Sequence, residues 1–171
     1  CQSPSSAQIL PPHAPAVQNT PHPASHASTL AELHRKYHSN FILHGPEERR
    51  EVALSFDNAP DSKYTAQILD VLKREHVKAT FFIVGRRAEQ YPQMVRRIQQ
   101  EGHAIGNHSY SHANLPKLKG TAFRRQIWLT DQILQHLVGY QPVIVRPPYG
   151  NVNEPQLRWL IGKHRKIVNW N

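Results

Sequence analysis

Cysteine is almost missing from this 171-residue sequence: one occurs, at position 1. A single thiol excludes an internal disulfide framework and any multi-cysteine zinc site within one chain. Acidic residues are also scarce, 12 against 21 lysines and arginines, which leaves a formal net charge of +9. That balance predicts attraction to anionic surfaces such as nucleic acid, acidic wall polymers or lipid head groups, and it says nothing about fold. The basic residues come as scattered pairs, Arg49-Arg50, Arg86-Arg87, Arg96-Arg97 and Arg124-Arg125, with no aromatic-laced basic block. Solvated helix faces account for that pattern better than a nucleic-acid site does, so no nucleic acid is expected as partner. No apolar run is long enough to cross a bilayer as a helix.

Residues 1–28 lack Asp, Glu, Lys and Arg altogether and carry Pro4, Pro11, Pro12, Pro15, Pro21 and Pro23 among Ser, Ala, Gln and His. Such a segment has too little apolar surface to offset the cost of ordering, and it reads as a disordered Pro-rich tether. A chain that begins at Cys1 with this tether behind it is similar to a mature bacterial lipoprotein, whose first cysteine carries lipid once the signal peptide is gone. The alternative is an ordinary free thiol at an arbitrary boundary. The lipoprotein reading implies an extracytoplasmic place at the bacterial cell surface or wall, with membrane contact only through a lipid on Cys1.

Residues 29–50 read as a lead-in helix and linker. Ser28 or Thr29 caps a short helix to Tyr37 with Leu30 and Leu33 on one side; an apolar patch, Phe41-Ile42-Leu43, and a Gly45-Pro46 turn follow. The folded domain is expected over 51–171. It opens on Val52–Pro60, VALSFDNAP, in which Val52, Ala53, Leu54 and Phe56 form an apolar run suited to a strand covered on both faces. Asp57 then stands at the C-terminal end of that strand, where parallel sheets and barrels place their ligand sites.

Helix and strand alternate from there. Asp61 or Ser62 caps a helix through Ile68, Leu69, Val71 and Leu72; Ala79–Val84 is a second apolar strand; Pro92 to Gly102 brackets a helix; His103–Gly106 is a third strand. The spacing of Phe123, Ile127, Thr130, Leu134 and Leu137 predicts a long helix from about Ala122 to Val138, stopped by Gly139. Val143–Val145, a helix over Pro155–Ile161 and a fifth strand, Lys166–Trp170, complete the pattern. It predicts a parallel sheet or barrel with right-handed crossovers. A fifth strand at the chain's end predicts an open edge with an exposed face, and hence a domain incomplete at its C-terminus.

Three histidine pairs have the i, i+4 spacing that puts two imidazoles within reach of one ion: His22/His26, His34/His38 and His108/His112. Spacing does not choose among them. Only His108 and His112 follow an apolar strand, so only they share a sheet edge with Asp57. Arg146-Pro147-Pro148-Tyr149-Gly150 ends another strand, with two prolines to stiffen the loop and a guanidinium able to hold a carboxylate.

SFDNAP, NHSYSH and RPPYG, in that order, resemble the first three motifs of the polysaccharide deacetylases of carbohydrate esterase family four, the NodB-homology domain. KATFFIVG, EGHAIGNHS and VIVRPPYG resemble the branch that acts on peptidoglycan or chitin-type amino sugars, and the likeness covers about residues 46–171. The resemblance implies an α/β fold, a distorted (β/α) barrel of which this is the N-terminal portion. It implies metal-dependent removal of N-acetyl groups from N-acetylglucosamine in cell-wall polysaccharide. Asp57 would be the general base, Arg146 its orienting partner, and Tyr149 the donor of an oxyanion-binding amide. Asn58, His108 and His112 would hold a divalent metal, zinc first, with cobalt or nickel as substitutes. The alternative is a non-catalytic glycan-binding relative. Anionic wall polymers are a further expected partner.

Two departures from the family pattern bear on activity. Asn58-Ala59 stands where the family has Asp-Gly, which removes an anionic ligand and, at Ala59, the freedom to take a positive φ. The family's later motifs, with the acid for the leaving amine and the residues that seat the acetyl methyl, would fall beyond Asn171, so the chain as given is expected to be slow or inert.

Overall fold

Thr29 opens the folded chain with a reciprocal cap: its hydroxyl accepts from the Glu32 amide at 3.3 Å and its own amide donates to the Glu32 carboxylate at 2.7 Å. The structure is a computed structural model that describes residues 28–46, 48 and 50–170. Cys1, the tether up to residue 27, the His22/His26 pair and Arg49 lie outside the described residues.

Helix α1 (Leu30–Lys36) buries Leu33 and leads into strand β1 (Phe41–Ile42). The apolar patch of the linker is therefore a strand. Phe41 pairs with Ile167 and Ile42 with Val168 of β6 (Lys166–Val168). This corrects the expectation that the fifth strand leaves an open edge, because β1 occupies it.

Strand β2 is Ser55–Ala59, three residues later than the apolar run began. Val52 is 93% exposed and Leu54 45%, so the picture of a strand covered on both faces fails here. The reason is position: β2 is an edge strand whose one neighbour among the described residues is β3 (Thr80–Ile83). The doubly covered strand is β3 itself, with Phe81, Phe82 and Ile83 all buried.

Helix α2 (Tyr64–Arg74) joins these two strands, with Asp61 accepting from the amides of Lys63 and Tyr64 at its start. Two helices, α3 (Gly85–Gln90) and α4 (Pro92–Gln100), precede β4 (Ala104–Asn107). The long α5 (Gly120–Val138) ends at Gly139 in the left-handed region, φ 85°. Strand β5 (Ile144–Val145), α6 (Glu154–Gly162) and β6 follow. All strand pairs are parallel, in the order β1-β6-β5-β4-β3-β2. Among the described residues no helix is long and apolar enough to cross a membrane.

One face of the sheet is buried under the helices in two clusters. Phe81, Ile83 and Ile105 meet Leu69, Val95, Ile98 and Leu134; Phe41, Val145 and Ile167 meet Leu33, Phe123, Ile127 and Leu157. Each such side chain contributes about 1.5–3 kcal/mol of burial. The other face is concave. A cavity of about 530 Å³ is lined by Ile42, Ser55, Phe82, Ile144, Arg146 and Val168 among others. Residues of both edge strands, β1 and β2, thus face one hollow, which is the curl expected of a distorted (β/α) barrel. Gly106 makes the curl compatible with Phe82, since any Cβ there would run into that ring.

Candidate active site at the C-terminal rim of the sheet

Parallel strands bring their C-terminal ends to one edge, and that places Asp57 (β2), the segment after Asn107 (β4) and Arg146 (after β5) together. The Arg146 side chain is 7% exposed and reaches across the hollow. Its Nη1 donates to Asp57 Oδ1 at 2.8 Å and to Ser55 Oγ at 2.9 Å, and its Nε donates to the Val168 carbonyl at 3.0 Å. One guanidinium therefore ties β2 to β6. The plane lies over Phe82, 4.0 Å from the ring centre, and Trp170 approaches it at 5.6 Å.

The main chain of the same arginine holds the first histidine. His108 Nδ1 lies 2.7 Å from the Arg146 carbonyl oxygen, an acceptor, so Nδ1 carries the proton and Nε2 keeps its lone pair. Burial holds the His108 imidazole below its ordinary pKa, against the pull of that hydrogen bond and of Asp57. His112 is also lowered, first by burial, with Asp57 opposing and Arg87 and Arg86 adding to the effect. Both rings are thus neutral near pH 7, the form that donates a lone pair. Their centroids are 5.0 Å apart, and the Tyr149 ring sits edge-on to His112 at 4.8 Å.

Four non-glycine residues of this rim have left-handed backbone: Asn58 (φ 61°), Ser109 (φ 64°), His112 (φ 59°) and Tyr149 (φ 60°). Each costs about 1–2 kcal/mol, a load that collects where side chains must be aimed. Ala59 is not among them. The positive φ falls on Asn58, a residue type that tolerates it, so the Asn-Ala pair does not deny this loop its shape.

The 108–112 loop is clamped by residues to which the sequence assigned no role. Asn107 is buried; its Nδ2 donates to the Ile127 carbonyl and to Asp131, and its Oδ1 accepts from the Ser109 amide at 2.8 Å. Gln126 Oε1 accepts from the amides of Tyr110 and Ser111. The amides of Gly85 and Arg86, at the start of α3, donate to the carbonyls of Ser109 and Tyr110. Ser55 and Asn107 open two of the quoted motifs without a role being assigned to them, and Gln126 lies in no motif; membership of SFDNAP and NHSYSH was the one available signal.

The structure brings Asp57, Arg146, His108, His112 and Tyr149 together. Asn58 adjoins Asp57, and its carbonyl accepts from Arg87 at 2.5 Å. His34 instead packs on α1 against Phe41 and His44, away from the rim. Among the described residues no three His, Cys, Asp or Glu side chains form a metal-holding group. The two neutral imidazoles, His108 and His112, are the donors the structure brings together here.

A sequence profile described as polysaccharide deacetylase matches residues 44–161. A peptidoglycan-N-acetylglucosamine deacetylase of Bacillus cereus is 49% identical over 131 residues, 77% of this chain and 48% of that protein. The peptidoglycan-N-acetylmuramic acid deacetylase PdaC of Bacillus subtilis is 42% identical over 106 residues, 62% of this chain and 23% of its own length. The chain thus spans about half, or less, of the curated relatives it matches. Among solved structures, the Bc1960 peptidoglycan N-acetylglucosamine deacetylase superposes with a TM-score of 0.79 at 45% identity, over 84% of this chain and 65% of that one.

Proposed function

The chain belongs to the polysaccharide deacetylase family, and from that premise we propose that its rim hydrolyses the acetamide of N-acetylglucosamine residues in bacterial wall glycan, outside the cytoplasm. The observation that carries this reading is the continuous path from Asp57 through the Arg146 guanidinium to the Arg146 carbonyl and on to His108.

In this reading Asp57 is the general base. Arg146 engages Oδ1, which stops the carboxylate from rotating and leaves Oδ2 to take the proton of the attacking water. His108 and His112, neutral and close, are suited to hold zinc, cobalt or nickel, with the Asn58 amide oxygen as a weaker third ligand. When bound, such a cation supplies polarisation of the acetamide carbonyl and a more acidic water. The stiff Arg146-Pro147-Pro148 entry fixes Tyr149, whose backbone amide is assigned to the developing oxyanion.

Acetate release from N-acetylglucosamine oligomers and from peptidoglycan, with zinc added, tests the reading. Asp57→Ala is expected to lower kcat by about 10²–10⁴-fold. An unchanged rate overturns the assignment, and glycan binding by the unaltered chain with no acetate even at high protein concentration and prolonged incubation, as a slow chain requires, leaves a glycan-binding relative in its place.

A further inference from the structure

The groove between α5 and α6 plays no part in the chemistry above. It opens on the outer side of the helix layer as a cavity of about 670 Å³. Ile127 floors it, and Trp128, Trp159, Arg124, Arg125 and Lys163 form its walls. Trp128 is 56% exposed, an unusual cost for the largest apolar side chain on a helix that buries Phe123, Ile127 and Leu134 beside it. Trp159 is set edge-on against Phe123 at 5.4 Å, and the Arg124 guanidinium lies 5.9 Å from its ring centre. The Trp159 indole is therefore held in place at the groove wall, beside the exposed Trp128.

The charge in the groove is one-sided. Its single carboxylate, Asp131, is buried and already engaged by Arg165 at 2.9 Å and by Asn107 at 2.9 Å. Among the described residues, Arg124, Arg125 and Lys163 have no acidic partner. Two indole faces and three cations, with no free anion between them, complement a ligand that alternates flat apolar faces with negative charge.

We propose that this groove is a second, non-catalytic binding site for a carboxylate-bearing glycan, with the indoles stacking on pyranose rings and Arg124, Arg125 and Lys163 meeting the carboxylates. A pyranose offers a C–H face to an aromatic ring, and a desolvated carboxylate prefers the fork of an arginine. The commitment to peptidoglycan, with its stem-peptide carboxylates, rests on the reading of the rim as a wall-glycan deacetylase. The groove shares α5 with the Gln126 clamp on the histidine loop, so a polymer held there stays at high effective concentration for the rim.

The test measures retention of the purified chain on peptidoglycan stripped of phosphodiester polymers, over a salt series, with chitin as the neutral control. The double variant Arg125→Glu, Lys163→Glu is expected to lower retention on peptidoglycan by about tenfold and to flatten its salt dependence. Trp128→Ala should lower retention at low salt by a similar factor and leave its salt dependence in place, while Trp128→Phe keeps most of the affinity. Retention on chitin should not change for the charge variants, and acetate release from a short soluble N-acetylglucosamine oligomer should not change for any of them. If a glutamate variant melts early, Arg125→Gln with Lys163→Gln takes its place. Unchanged retention of the variants overturns the proposal, as does retention that requires the phosphodiester polymers. Asp57→Ala should be retained normally, so lost hydrolysis with intact retention counts against the rim alone, and the reverse counts against the groove alone.

Discussion

Arg146 acts through both its main chain and its side chain: the carbonyl fixes the tautomer of His108 while the guanidinium fixes Asp57. Asn58, next to that carboxylate, is the carboxamide in a proposed ligand set that carries no negative charge. Placing a charge there with Asn58→Asp should tighten zinc binding, read by calorimetry, by about fivefold or more, since a unit charge near a cation is worth about 1–4 kcal/mol at exposed sites. No gain in affinity would remove Asn58 from the ligand set. A different histidine governs stability. His103 Nδ1 accepts from the Ala79 amide at 3.2 Å, and burial, with Lys78 adding to it, holds the ring below its ordinary pKa. The unfolded chain therefore binds the proton more readily. The stability that neutral His103 contributes is complete above about pH 6.5 and is lost as pH falls through that value toward the lowered one. Urea midpoints taken from pH 7.5 down to 5 should fall less steeply for His103→Gln than for the unaltered chain. His108 and His112 share the sign, so the difference between the two curves is the informative quantity.

At the scale of elements, the approach of β3 to β4 sets where Arg146 can lie. Gly106 faces the Phe82 ring, and the same ring carries the guanidinium. Gly106→Ala should cost about 1–3 kcal/mol, measured by denaturant unfolding, and should reduce acetate release as the displaced ring shifts Arg146. A neutral substitution would mean that the ring has room to move. Much of this layer was legible in the sequence. Alternating strand and helix signals implied parallel strands, and parallel strands alone suffice to bring Asp57, His108, His112 and Arg146 to one edge. The stripe from Phe123 to Leu134 and the stop at Gly139 marked α5. Less legible was β1, because a two-residue strand has no periodicity and owes its existence to pairing with β6. The exposure of Val52 and Leu54 was hidden too: an apolar run records what could be covered, while coverage depends on which strand ends at the edge. The Asn107 and Gln126 clamps depend on how α5 faces β4, a tertiary fact without a local pattern.

Over the whole molecule, the formal charge of +9 is not spread evenly in its uses. Arg97 is spent on Asp70 and Glu101, whereas Arg86 and Arg87 lie near His112 and the Arg124-Arg125 pair walls the outer groove. The expectation that such pairs are only solvated helix faces holds less well for the last of these. The curl of the sheet has an optical consequence. Trp170, 52% exposed, sits 5.6 Å from the guanidinium that ties β2 to β6, so an intrinsic fluorophore reports on the latch itself. In a chain carrying Trp128→Phe and Trp159→Phe, emission from that one indole should change when zinc or an N-acetylglucosamine oligomer is titrated in. A silent indole would mean that occupancy of the rim leaves Arg146 where it stands, whereas a shifted one would make binding readable without following turnover.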